Sequence, residues 1–176
     1  MSETGPPEPW LRGSLPEVRS VPRAVLHALE LASEDLRRWC GNLTEEELNR
    51  RPDGIPSVAF HLKHIARGVD RLLTYAEGGQ LDAAQIAALK CEESEGSSGH
   101  EIFAELNATL GRAAARIRKF DADHMDDSRC VGLKKLPTTV GGLLVHIADH
   151  TQRHVGQAVT TAKVVRARRG TESPQR

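Results

Sequence analysis

Apolar residues recur at three- and four-residue intervals in four long stretches of the chain, the spacing that gathers side chains on one face of an α-helix. In the first, from Ser20, the positions Val25, Leu26, Leu29, Leu36 and Trp39 keep this rhythm until Gly41 ends it, and Pro22 suits a first helical turn. The second is capped by Ser57 and runs to about Glu77, where Gly78 and Gly79 follow; Val58, Leu62, Ile65, Val69, Leu72, Leu73 and Ala76 form its stripe. A third pattern runs from about His100 to Phe120 through Ile102, Phe103, Leu106, Leu110, Ala113, Ala114 and Ile117. The fourth begins after Pro137 and carries Val140, Leu143, Leu144, Ile147, Ala158, Ala162 and Val165.

The connections are less regular. Thr44 and Glu47 have the form of a capping box, which predicts one short helical turn before the Pro- and Gly-rich stretch ending at Pro56. Leu81 to Lys90 reads as a short helix. Cys91 to Gly99, with the sequence CEESEGSSG, reads as an acidic, solvated loop. Asp121 to Pro137 is the longest connection, with a short extended piece, and its His124 and Asp126 read as loop residues. Residues 1–19 are rich in Pro and Gly and predict an extended arm, pinned by Trp10 and Leu11, while residues 168–176 predict a basic, disordered tail. No stretch sustains the alternation of a half-buried strand. The expected fold is all-α: a four-helix bundle over residues 20–167, with a long connection between helices three and four.

Composition narrows the classes of function. A chain of 176 residues suits one domain, and 24 basic residues against 24 acidic ones leave no net field calling for nucleic acid or an anionic membrane. No apolar run approaches the roughly 18 residues of a membrane span, and no basic region followed by an apolar core opens the chain, so a cytoplasmic protein is expected. Cys40, Cys91 and Cys130 are far apart and form no CxxC, which argues against a disulfide framework or a thiolate zinc site.

Histidine carries the candidate chemistry. His146, His150 and His154 lie four apart on the fourth helix, and neutral imidazole is the commonest metal ligand among side chains. Eight residues rise about 12 Å, so one ion is shared by adjacent histidines rather than by the outer two. At about 100° per residue, His154 falls inside the apolar arc, His150 at its margin and His146 further towards solvent. This favours His150 and His154 as the metal-binding pair. Core-edge histidines satisfied by hydrogen bonds fit the same pattern. On the second helix His61 or His64 could complete a site; the helical wheel leans slightly to His61, although a metal open to substrate belongs at a core margin. His27, alone on a half-apolar face, reads as structural.

Two segments carry a family likeness. SVAFHLKHIARGVDRLL in the second helix, with a histidine seven positions after a serine, and HIADHTQRHVGQ in the fourth, with two histidines four apart before Gly-Gln, resemble the motifs of the DinB/YfiT family of proposed metalloenzymes. The resemblance implies a four-helix bundle, often a homodimer, and a divalent metal held by His64, His150 and His154. It thereby selects His64 over His61. The chain departs from the pattern at Val155, where the family often has arginine, and in the additional His61 and His146.

Three neutral nitrogen donors leave a coordination position for water or substrate, the composition of a catalytic zinc site. Imidazole also suits other ions, so zinc or nickel leads, with iron or manganese behind. Family members include thiol-dependent S-transferases and hydrolase-like enzymes. The resulting expectation is a metal-dependent S-transferase or hydrolase acting on a small molecule, with a low-molecular-weight thiol as the favoured co-substrate. His61 and His146 would handle protons, and Gln157 would donate to substrate. The alternatives are a non-catalytic metal-binding or stress-associated bundle, and a helical interaction module without metal.

Overall fold

Local signals set most helix boundaries. The computed structural model describes residues 6–94, 96 and 98–169. Helix α1 spans Ser20–Cys40 with Gly41 as its C-cap. Helix α2, Glu45–Asn49, is started by the Thr44/Glu47 capping box, and α3, Val58–Ala76, by Ser57, whose Oγ accepts the Phe60 N–H. Reciprocal caps also open α4, Ala83–Lys90, and α5, Gly99–Ile117, through Asp82/Gln85 and Ser98/Glu101. The last helix, α6, spans Val140–Arg169.

Helix α6 lies against both α1 and α3, and α5 packs mainly on α3. Their apolar stripes close on one another around Leu36, Leu62, Ile65, Leu73, Leu106, Ile117, Leu144 and Ile147, all fully buried. The four long helices thus coincide with the four predicted from periodicity, with α5 ending at Ile117. Among the described residues no helix is long and apolar enough to cross a membrane.

The fold is mostly helical rather than a pure four-helix bundle. Between α5 and α6, Ser128–Val131 (β1) and Leu136–Thr139 (β2) pair antiparallel, with Cys130 opposite Pro137. Gly132 and Lys135 take positive φ in the turn, and the Lys135 N–H donates to the Gly132 carbonyl. Strands of four residues are too short for alternation to register, and Pro137 fits because a two-stranded ribbon has open edges. The hairpin is tied to the end of α3 by Arg129 Nε, which donates to the Ala76 carbonyl at 2.8 Å. Its approach to α6 satisfies early helical N–H groups: Val140 donates to the Asp127 carbonyl and Gly141 to the Met125 carbonyl.

Two terminal expectations need correction. Trp10 and Leu11 are exposed and do not pin the arm; Pro9 is buried, Leu15 and Val18 pack on the core, and Arg12 pairs with Glu30 and Glu34 of α1. At the other end Arg168 and Arg169 belong to α6, where they pair with Asp53 and Glu47. Those carboxylates come from distant segments, which is why the run reads from sequence as a free basic tail. The remainder of that tail, residues 170–176, lies outside the described residues, as do residues 1–5 of the arm.

Candidate metal centre

Once Ser57 fixes the start of α3, residues 61, 64, 68 and 71 fall three and four apart and share one face. His61, His64, Gly68 and Arg71 occupy it. On α6, His150 and His154 are one turn apart, and the burial of Ile147, Val155 and Ala158 orients that helix on the core. The seam between α3 and α6 therefore receives histidines from both sides.

His64 Nε2 lies 3.0 Å from His150 Nε2, and the ring centroid of His154 is 4.4 Å from that of His64 and 4.6 Å from that of His150. One nitrogen from each of these three residues lies within 4.8 Å of the others, and all three side chains are half-buried. A tetrahedral ion with bonds of about 2.0–2.1 Å holds its donors about 3.4 Å apart. The 3.0 Å between His64 Nε2 and His150 Nε2 is close to that value and the His154 nitrogen lies within 4.8 Å of both, so the three imidazoles fit around one ion with modest side-chain adjustment.

Protonation also favours ligation. Burial, followed by the proximity of the other imidazoles, pushes His150 down to about 4, and burial followed by His64 and Arg153 does the same for His154. Both are neutral donors at pH 7. Their rings are held from behind. His154 Nδ1 lies 3.1 Å from His61 Nδ1, and His64 Nδ1 lies 2.6 Å from Glu92 Oε2 while its ring stacks on Phe60. If His64 and His154 present Nε2 lone pairs, their protons sit on Nδ1. His64 then donates to the carboxylate and His154 to His61. His61 can accept because burial, its first cause, lowers its pKa to about 4. The ring of His150 packs on Gly68, and its Nδ1 is buried without a hydrogen-bond partner among the described residues.

His64, His150 and His154 are thus brought together, with His61 buried behind His154. His146 stands apart on the solvent side: its side chain is 47% exposed, its Nδ1 is 3.6 Å from Asp149 Oδ2, and its ring is 5.6 Å from that of His150. Gln157 is exposed on α6. His27 is buried on α1 with its Nε2 3.1 Å from Ser14 Oγ, and His124 sits in the exposed connection beside Asp127.

Three residues of the site escape sequence reasoning. Glu92, read as part of a solvated loop, is only 4% exposed, and its two oxygens engage His64 and Arg71. Burial raises its pKa, but the hydrogen bonds from His64 and Arg71 outweigh that, leaving it lowered and the group ionised. The only sequence signal for Gly68 is a glycine inside an otherwise strong helix, which suggests a close approach. Arg71 carries none.

The same fold occurs in the crystal structure of a conserved protein from Enterococcus faecalis, with a TM-score of 0.70, 19% sequence identity, and coverage of 85% of this chain and 99% of that one. No curated protein matches the sequence. The family model of the DinB superfamily matches residues 28–158.

Proposed function

The chain belongs to the DinB superfamily, and from that membership and the histidine geometry we propose that it is a divalent-metal-dependent enzyme using His64, His150 and His154 as ligands. The reaction class is S-transfer from a low-molecular-weight thiol, or hydrolysis, at a small-molecule substrate. The observation that carries the reading is the convergence of one nitrogen from each histidine within 4.8 Å on a half-buried seam. All three donors are imidazoles, which suits zinc or nickel ahead of iron or manganese. When bound, the ion would supply Lewis acidity, lowering the pKa of a coordinated water or thiol.

The chain's own residues have distinct tasks in this reading. Glu92 accepts a hydrogen bond from His64 Nδ1–H and His61 accepts one from His154 Nδ1–H, so both rings keep a lone pair towards the site. His146, half-exposed one turn before His150, exchanges a proton with bulk water. Gln157, exposed three residues past His154, offers an amide donor to substrate.

Metal content per chain, measured by elemental analysis on protein purified without a histidine tag, tests the reading. Near-stoichiometric metal in the native protein, lost in His64→Ala and His154→Ala, is the expected result, with S-transfer assays of the loaded protein to follow. No metal after incubation with zinc, nickel and manganese would overturn it.

A further inference from the structure

We propose that Glu92 is a positioning residue for the metal site: a carboxylate delivered by the loop after α4 that sets the tautomer and orientation of His64. The inference rests on the reading of His64, His150 and His154 as ligands.

Glu92 is the buried member of a segment whose neighbours Cys91, Glu93, Ser94 and Gly96 are exposed. A buried carboxylate is costly unless its oxygens are hydrogen-bonded. Here each oxygen has its own partner, Oε2 at 2.6 Å from His64 Nδ1 and Oε1 accepting from Arg71 Nη1 at 2.5 Å. Arg71 lies two turns beyond His64 on the same face of α3 and its side chain is only 12% exposed, so it balances the charge of the carboxylate. An ionised carboxylate has no proton to donate. His64 Nδ1 must therefore be the donor, and in the neutral ring, the form that binds a metal, this leaves the Nε2 lone pair facing His150.

The loop is gripped on both sides of Glu92. Arg67 Nη1 donates to the Ala88 carbonyl at 3.0 Å, and Lys63 Nζ, on a buried residue, donates to the Ser94 carbonyl at 2.5 Å. Four side chains of α3, at positions 63, 64, 67 and 71, thus hold the segment from Ala88 to Ser94. Without those contacts an acidic loop would hydrate. With them, its carboxylate becomes a fixed part of the surroundings of His64, whose ring also stacks on Phe60.

The test is zinc affinity by competition with a chromophoric chelator for wild type, Glu92→Ala, Glu92→Gln and Arg67→Met, with imidazole NMR of the zinc-loaded protein. Loss of such a carboxylate partner costs about 10- to 100-fold in metal affinity, and that is the loss expected for Glu92→Ala. Glu92→Gln, whose amide oxygen still accepts, should fall between it and wild type. Arg67→Met loosens the same segment but leaves the Glu92 carboxylate and its Arg71 partner in place, and should lose clearly less affinity than Glu92→Ala. The spectrum should show His64 protonated on Nδ1 in wild type, with fast exchange of that proton in Glu92→Ala. Unchanged affinity in Glu92→Ala, or an equal loss in Arg67→Met, would overturn the role of Glu92 while leaving the metal site standing. A wild type that binds no zinc would overturn the site itself. If Glu92→Ala does not fold, the wild-type tautomer decides: a zinc-loaded His64 protonated on Nε2 overturns the proposal.

Discussion

His64 Nε2 and His150 Nε2 face each other at 3.0 Å across the seam between α3 and α6. Two lone pairs at that separation repel unless a proton or a cation lies between them. A shared ion would join the two helices that form the centre of the core. Because it binds the folded state only, zinc at 100 times its Kd should stabilise the protein by about 2.7 kcal/mol. For a chain of this size that corresponds to a rise in Tm of roughly 5–10 °C. A thermal melt with and without zinc measures it, and the rise should vanish in His64→Ala and His150→Ala.

Gly68 offers a separation of stability from ligation. A Cβ built there would sit 3.0 Å from His150 Cε1 and 3.5 Å from its Nδ1, so the ring must give by a few tenths of an ångström. Alanine also favours a helix interior by about 1 kcal/mol over glycine. Gly68→Ala should therefore leave the metal-free protein as stable as wild type or slightly more so, while weakening zinc binding several-fold. Calorimetric titration alongside a urea melt separates the two effects. Undiminished affinity would mean that the position of the His150 ring does not matter to ligation.

What could be read from the sequence was what one segment determines by itself. Each long helix announces itself through its own apolar spacing, Ser57 and the Thr44/Glu47 pair act on N–H groups three residues away, and His150 and His154 are neighbours because they share a helix. His61 and His64 differ by only about 60° on their wheel, so their roles depend on where α6 packs, and the wheel leans towards the one that lies behind His154. Glu92 was illegible for the same reason. Its burial is produced by His64 and Arg71 and by the grip of Lys63 and Arg67, all on another element. The hairpin is short enough that its register, rather than any pattern of alternation, defines it.

The three thiols should separate by reactivity. Cys40 is completely buried at the end of α1, and burial pushes its pKa up to about 11, only partly opposed by Arg166. At pH 8 a thiol with that pKa is about one-thousandth ionised, and the thiolate is the nucleophile. Cys91 and Cys130 are exposed. A disulfide reagent such as DTNB should titrate two thiols in the native protein and the third only in denaturant. Cys40→Ser should leave the native count unchanged. Rapid reaction of all three would show that the end of α1 opens readily.

Acid should weaken the metal-free protein within a defined window. His61, His150 and His154 titrate near 4 in the fold against an ordinary value of 6.5, with burial as the leading cause. Around them stand His64, His146 and Arg153, which disfavour further positive charge, and Glu92, which favours it at His154. The folded pKa is thus below the unfolded one, so as pH falls through 6.5 the unfolded chain takes up protons that the native state refuses. Stability is complete above about 6.5, declines between 6.5 and 4, and loses nothing more from these groups below that. Urea midpoints of chelator-treated protein at half-unit intervals from pH 8 to pH 4 should trace the decline. In His61→Phe the slope should be shallower, because one of the three imidazoles is gone. A midpoint that stays flat from pH 7 to pH 5 would mean that the histidines titrate alike in both states, and the enclosed, neutral cluster would have to be abandoned.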